Sequence, residues 1–300
     1  MCGIAGLFSK SLDVSERLGS HLGDMLFQLS DRGPDSAGVA VYRDPAPSGS
    51  SKVSLFSPDP AQDWQSVRAA LDVAFGADEP EARGSHAVIV VETEAAEAQA
   101  WLRERYPELR VMSAGQAIEI FKEAGPPPEF IESFGLASMS GSHALGHTRM
   151  ATESRVTTEH SHPFSTGLDL CLVHNGSLSN HNRLRQRLRD EGIEFQTDND
   201  TEVAAGYLTW RLREGASLER ALEGCLEDLD GFYTFAVGTI DGFAVLRDPI
   251  ACKPAVMAET DDWVAMASEY RAIAVLPGAE SARMWEPEPG HVYSWERAAV

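Results

Sequence analysis

The chain opens with an unbroken apolar run, Cys2 to Phe8, that reads as a strand buried on both faces. A helical rhythm follows from Ser15 to Gly33. Leu18, Leu22, Met25, Leu26 and Leu29 fall on one face, with Ser15 as a plausible cap and Gly33-Pro34 as the stop. Ala37 to Asp44 then reads as a strand. The turn-rich Asp44-Pro45-Ala46-Pro47-Ser48-Gly49 ends this first rhythm.

A second rhythm occupies residues 45–128. Strand-like VSLF precedes a helix over AQDWQSVRAALDVAFG. HAVIVVE (His86 to Glu92) is a buried strand, followed by a helix from about Ala95 to Arg105. LRVMSA reads as a strand and QAIEIFKEA as a helix, and GPPPE closes the block. The pattern predicts an inserted β-α-β-α-β-α subdomain. It carries no glycine-rich phosphate loop, so packing or partner docking is its expected role.

Beyond it, a short helix begins near Glu129. LDLCLVHNG (Leu168 to Gly176) reads as a strand ending in a His-Asn-Gly turn. Three helical stretches follow, the first capped by Ser179 or Asn180. The second carries Ala204, Leu208 and Leu212 at a spacing of four, as on a buried stripe. The remainder is strand-rich, with Asp241-Gly242 as a hairpin turn and HVYSW as the last strand. Outside the insert, the order predicts an α+β fold of stacked antiparallel sheets with helices outside. Its limits are 1–276, with 277–300 as a closing strand and tail.

Composition changes this picture little. The 300 residues are 43% hydrophobic and 24% charged, ordinary for a globular protein. The net charge of −21 argues against nucleic-acid and anionic-membrane partners. No stretch reaches the ~20 apolar residues of a spanning helix, and the N-terminus lacks the pattern of a signal peptide, so a cytoplasmic setting is expected. Cys171, Cys225 and Cys252 read as small hydrophobes without disulfide or metal spacing.

Cys2 differs by its position. If Met1 is removed, Cys2 carries a free α-amine beside its own thiol. Such an amine has a pKa near ~8 and can act as the base for its own nucleophile. Four further motifs are punctuated in ways that packing does not require. They are Arg32-Gly33-Pro34-Asp35-Ser36-Ala37-Gly38; Gly146-His147-Thr148-Arg149-Met150-Ala151-Thr152 with Ser161-His162-Pro163-Phe164; His174-Asn175-Gly176; and Asp200-Thr201-Glu202. Taken singly, each has an ordinary reading: a turn for His-Asn-Gly, an ion pair for Arg149, a helix cap for Asp198 or Asp200, a structural histidine for His162.

Together, and in this order, they resemble the class II glutamine amidotransferase domain, an N-terminal-nucleophile hydrolase. Asp248-Pro249, Lys253-Pro254 and Ala267-Ser268-Glu269 extend the likeness to about residue 276. The resemblance implies an αββα layered sandwich. It also implies that Cys2 attacks the side-chain amide of glutamine, while the side chain of Asn175 and the backbone N–H of Gly176 stabilise the oxyanion. Arg149 would clamp the substrate carboxylate and Asp200 its ammonium, with Thr152 and His162 near the pocket. Arg32 and Asp35 would belong to the loop beside the nucleophile.

Two departures stand out: Met150 replaces an aromatic residue common after the clamp arginine, and the 45–128 insert is long. The chain is expected to end with the amidotransferase domain, so that released ammonia passes to a separate synthase chain. The motifs are most similar to stand-alone amidotransferase subunits of the glutamate-synthase-like group, N-methylglutamate synthase among them. FMN and iron–sulfur clusters would then belong to the partner, and this chain needs no metal or other cofactor. A different N-terminal-nucleophile amidase and a non-catalytic homologue are the alternatives. Arg149 with Asp200 favours a free amino-acid headgroup over the first; the presence of Cys2, Asn175 and Asp200 argues against the second.

Overall fold

A computed structural model describes residues 2–151 and 155–297. Two antiparallel sheets lie face to face between two layers of helices.

The first sheet has seven strands, in the spatial order Arg283–Trp285, Val256–Glu259, Trp263–Ala267, Gly3–Ser9, His143–Arg149, Ser36–Tyr42 and Ile118–Ala124. The second has four, in the order Val292–Glu296, Gly242–Arg247, Gly231–Thr239 and Cys171–Leu178. Between the sheets lie Ile4, Phe8, Tyr42, Leu145, Val173, Phe243, Val264 and Met266. Strand alternation turns their neighbours outward. Ala5, Leu7, Val39 and Val41 therefore meet the helix Leu18–Gln28 through Leu18, Leu22, Met25 and Leu26. On the far side, Phe235 and Leu246 meet the helices Asp200–Arg213 and Leu218–Asp228. Each fully buried leucine contributes roughly 1.5–3 kcal/mol, and both faces of the N-terminal strand are filled in this way. Its apolar run needs no polar alternation, because no side of it meets water.

Residues 51–115 form a third sheet, in the order Glu81–Arg83, His86–Val91, Ser51–Phe56 and Arg110–Gly115. The helices Trp64–Phe75 and Ala95–Arg105 pack on it around a separate core that includes Val53, Leu55, Leu71, Ile89 and Leu102. Asp63 caps the first helix, accepting from the N–H groups of Gln65 and Ser66.

Several local expectations need correction. QAIEIFKEA is not a helix: Ile118–Ala124 is a strand pairing with Ser36–Tyr42 at the edge of the first sheet. Ile118 and Ile120 fill the inter-sheet core, and Phe121 fills the opposite face. A nine-residue run apolar on two faces fits either period, and the strand next to it decides. The tri-proline does not close the insert either; it starts the helix Pro127–Ser133, where missing N–H groups cost nothing. Ser15 does not cap the first long helix, which is split at Arg17 into Leu12–Glu16 and Leu18–Gln28. Asn180 sits at the cap position of His181–Asp190, but its side chain bonds Asp228 and Asp230 instead. Cys252 is exposed, unlike the buried Cys171 and Cys225. Among the described residues, no helix is long and apolar enough to cross a membrane.

Candidate active site

Cys2 precedes the central strand of the first sheet. Gly3 lies opposite Thr148 in the antiparallel ladder, which brings Cys2 level with Arg149 at the end of the neighbouring strand. The Cys2 thiol points to the Met150 carbonyl, 3.8 Å away. Its own carbonyl accepts from Asn175 Nδ2 at 3.2 Å and from Arg32 Nε at 3.1 Å. Arg32 also pairs with Glu269, and Ser268 exchanges two hydrogen bonds of 2.9 Å with the backbone of Ile4. The Arg32 motif and the Ala267-Ser268-Glu269 motif thus both hold the start of the N-terminal strand.

Small residues let these segments close. A Cβ on Gly3 would meet Thr148 Oγ1 at 2.6 Å, and one on Gly33 would meet the Thr148 backbone at 2.3 Å. Asp35 fixes the next turn: its backbone N–H donates to the Arg149 carbonyl, and its carboxylate accepts from the Ala151 N–H at 2.7 Å.

The His-Asn-Gly segment is not a turn after a strand, as its composition suggested. It lies within the strand Cys171–Leu178, with Asn175 opposite Thr234 and Gly176 opposite Tyr233. Gly176 has φ +155°, and a Cβ there would sit 2.0 Å from the Phe232 carbonyl. Only glycine fits, and the distorted strand brings its backbone to the Cys2 cleft.

Asp200 opens the helix Asp200–Arg213 but does not cap it. Asn199 takes that part, accepting from Thr201 N at 2.8 Å. The Asp200 carboxylate accepts from Leu178 N at 2.9 Å and lies 3.8 Å from His174 Nδ1. Glu202, in the same motif, is buried and holds the N–H groups of Gln196 and Thr197.

These parts converge on a cleft of about 890 Å³ lined by Cys2, Arg149, His162, Gly176 and Asp200. Asn175 reaches it through its bond to Cys2. Thr152 lies outside the described residues. Arg149 is buried, and its Nη1 donates to the Arg155 carbonyl at 2.9 Å. Burial pulls its guanidinium below the usual value, while Cys2, Asp35 and Asp200 pull it back up.

Thr201 is the hub that the sequence did not single out. Its hydroxyl meets His162 Nε2 at 2.8 Å and His174 Nδ1 at 3.0 Å. His147 stacks on His162 with ring centres 4.0 Å apart and bonds the His174 carbonyl at 3.1 Å. Burial lowers all three imidazoles, His147 to about 3, so they are neutral at pH 7. His160, His181, Phe232 and Lys253 also line the cleft without having been assigned to it; only Lys253-Pro254 was visible as a motif. Among the described residues, no group of His, Cys, Asp and Glu could hold a metal ion.

A family profile described as a glutamine amidotransferase domain matches residues 147–275. The glutamine amidotransferase-like protein GlxB of Rhizobium meliloti is 54% identical over 99% of this chain and 98% of its own length. A Methanothermobacter thermautotrophicus protein named for the same activity is 31% identical, over 99% of this chain and 100% of its own. Among solved structures, the B. subtilis glutamine phosphoribosylpyrophosphate amidotransferase complexed with ADP and GMP superposes with a TM-score of 0.61 at 22% identity. That match covers 98% of this chain and 47% of the longer one, so the likeness speaks to the layered fold alone.

Proposed function

The chain belongs to the class II glutamine amidotransferase family, and from that premise we propose that it hydrolyses the side-chain amide of glutamine through a thioester on Cys2. The observation that carries this reading is the meeting of Cys2, Arg149, Gly176 and Asp200 in one cleft. Arg149 takes the substrate α-carboxylate, for which a guanidinium fork is the best match. Asp200 takes the α-ammonium. The γ-carbonyl then lies at the Cys2 thiol.

With Met1 removed, the α-amine of Cys2 accepts the thiol proton as sulfur attacks the carbonyl carbon. The oxyanion is met by Asn175 Nδ2 and Gly176 N–H. Such donors act at fixed positions and need no reorganisation during reaction. Collapse expels ammonia, which leaves with the proton held by the amine. Water then attacks the thioester and releases glutamate. His162 shapes the pocket wall through Thr201, and Thr152 is a further proposed contact.

The ammonia receiver we propose is a separate synthase chain. The glutamate-synthase-like motifs support it, as do the exposed apolar side chains of Met150 and Phe232 beside the cleft. An N-methylglutamate synthase type of assembly, with FMN and iron–sulfur clusters on the partner, is the specific form of this proposal. The proposed setting is cytoplasmic, and the proposed domain spans 1–276, interrupted by the insert that the sequence places at 45–128 and whose separate sheet occupies 51–115, with the closing segment 277–300.

The test is incubation of the full chain with glutamine and with other amides. Glutamate formed from glutamine alone supports the reading. No turnover, with or without candidate partners, would sink it. Co-purification from the native source then identifies the receiver.

A further inference from the structure

Lys122 is a buried lysine that the chemistry above does not use. It lies on the edge strand Ile118–Ala124 and shares a face with Ile118 and Ile120, toward the second sheet. Its Nζ donates to three main-chain carbonyls: Ser161 at 2.9 Å, Glu159 at 3.2 Å and Pro163 at 3.2 Å. The Phe164 ring centre is 4.5 Å away. Three donors meet three acceptors, and the aromatic face adds to the compensation.

A buried ammonium is costly even when compensated in this way. Burial pulls Lys122 down to about 8, against the upward pull of Glu202 and Glu159. A methionine would fill similar space without that cost. What the charge adds is a grip on one loop.

That loop, residues 159–163, presents two histidines to the cleft. His160 Nε2 meets Asp198 Oδ1 at 3.0 Å, and His162 Nε2 meets Thr201 Oγ1 at 2.8 Å. Asp198 and Thr201 bracket Asp200. A continuous set of contacts therefore runs from Lys122, through three carbonyls and two imidazoles, to the turn that carries the proposed ammonium anchor.

We propose that Lys122 is a positioning residue for the amino-acid headgroup, setting loop 159–163 so that Asp200 is held where the substrate ammonium binds. It touches neither substrate nor Cys2. The inference rests on the role given to Asp200 above and extends it to a residue outside the cleft. The same strand carries Glu119, whose carboxylate pairs with Lys52 of the inserted sheet at 2.8 Å. The insert and the headgroup site are thus tied to one strand.

The test uses the full chain and a diazoketone analogue of glutamine that alkylates Cys2, with labelling followed by peptide mass spectrometry. The wild-type protein should label at Cys2 with saturation. Lys122→Met should raise the half-saturating concentration by about tenfold, the loss of roughly one hydrogen-bonded contact at the headgroup. Its maximal labelling rate should stay within about twofold of wild type, because the reacting atoms are untouched. Lys122→Arg should restore most of the affinity. Alkylation of Cys2 by iodoacetamide, which has no headgroup, should be unchanged. If Lys122→Met is too unstable to purify, Lys122→Gln serves the same comparison.

An unchanged half-saturation would overturn the proposal. So would equal losses with the analogue and with iodoacetamide, since that marks a general structural role. Failure of the wild-type chain to label with saturation would overturn the glutaminase reading itself, and this proposal with it.

Discussion

The side-chain amide of Asn175 donates to the main-chain carbonyl of Cys2 across 3.2 Å. The bond joins the two sheets at the proposed nucleophile, because Cys2 leads into one and Asn175 lies in the other. It also brings the Asn175 amide to the residue that carries the thiol, as its proposed oxyanion role requires.

Asn175→Ala is therefore expected to lower kcat for glutamine by ~10²–10³ while changing KM little, the usual cost of one oxyanion donor. Steady-state glutamate production measures it. A large rise in KM with kcat intact would reassign Asn175 to ground-state binding.

The proposed headgroup clamp should show the opposite pattern. Arg149→Lys keeps the charge but loses the fork, so KM for glutamine should rise ~10- to 100-fold with a smaller change in kcat. Asp200→Asn should act in the same direction. Asparagine can still accept the Leu178 N–H, so the strand end is preserved and only the charge is lost. Competition by free glutamate reads both effects, since it depends on the headgroup and not on the amide. Unaltered glutamate affinity in both variants would remove this pair from the substrate site.

How much of this was legible beforehand follows from how local each signal is. The N-terminal strand, the leucine stripe of residues 18–29 and the helix Ala95–Arg105 were readable, because burial on a known face writes itself into the sequence. Cys2 stands out by its place beside the N-terminus, whereas Arg149 and Asp200 are picked out only by the resemblance of their motifs to the family's. Gly176 was nameable as a special backbone position, but its place inside a strand was not. His-Asn-Gly has turn composition, and only pairing with Gly231–Thr239 makes it extended. Thr201 was hidden for a similar reason. A threonine in the first turn of a helix is unremarkable in sequence, and the two histidines it joins come from segments 27 and 39 residues away. Lys122 falls in QAIEIFKEA, whose pattern reads as a helix, and is instead buried on an edge strand.

Acid sensitivity should follow the buried imidazoles. His86 is enclosed by Phe56, Phe121 and Phe134. Burial, and then the charge of Lys122, lowers it to about 3. In the unfolded chain it titrates near ~6.5, so between these values the unfolded state binds the extra proton. Its neutral burial is therefore fully tolerated above pH 6.5, and stability is lost as pH falls toward 3. His86→Phe removes that group and an unpartnered buried nitrogen. Over this range, the variant's stability should fall with acid less steeply than that of the wild type, by ~1 kcal/mol per pH unit. Urea unfolding at a series of pH values measures the slope. Parallel curves for the two proteins would show that His86 does not carry the linkage.

The remaining prediction concerns the two atoms on which the proposed chemistry depends. Among the described residues the Cys2 thiol makes a long contact with the Met150 carbonyl, whereas its backbone carbonyl accepts from both Asn175 and Arg32. Cys2→Ala removes the first and keeps the others. The variant should melt within about 2 °C of wild type yet lose measurable glutaminase activity. A chain in which Met1 cannot be removed should behave in the same way, although its thiol is intact, because the α-amine proposed to take the thiol proton is then an amide. Intact mass measurement of the active protein should accordingly find Met1 absent. Full activity with Met1 in place would separate the two roles: Cys2 could remain the nucleophile, but its base would have to be another group lining the cleft.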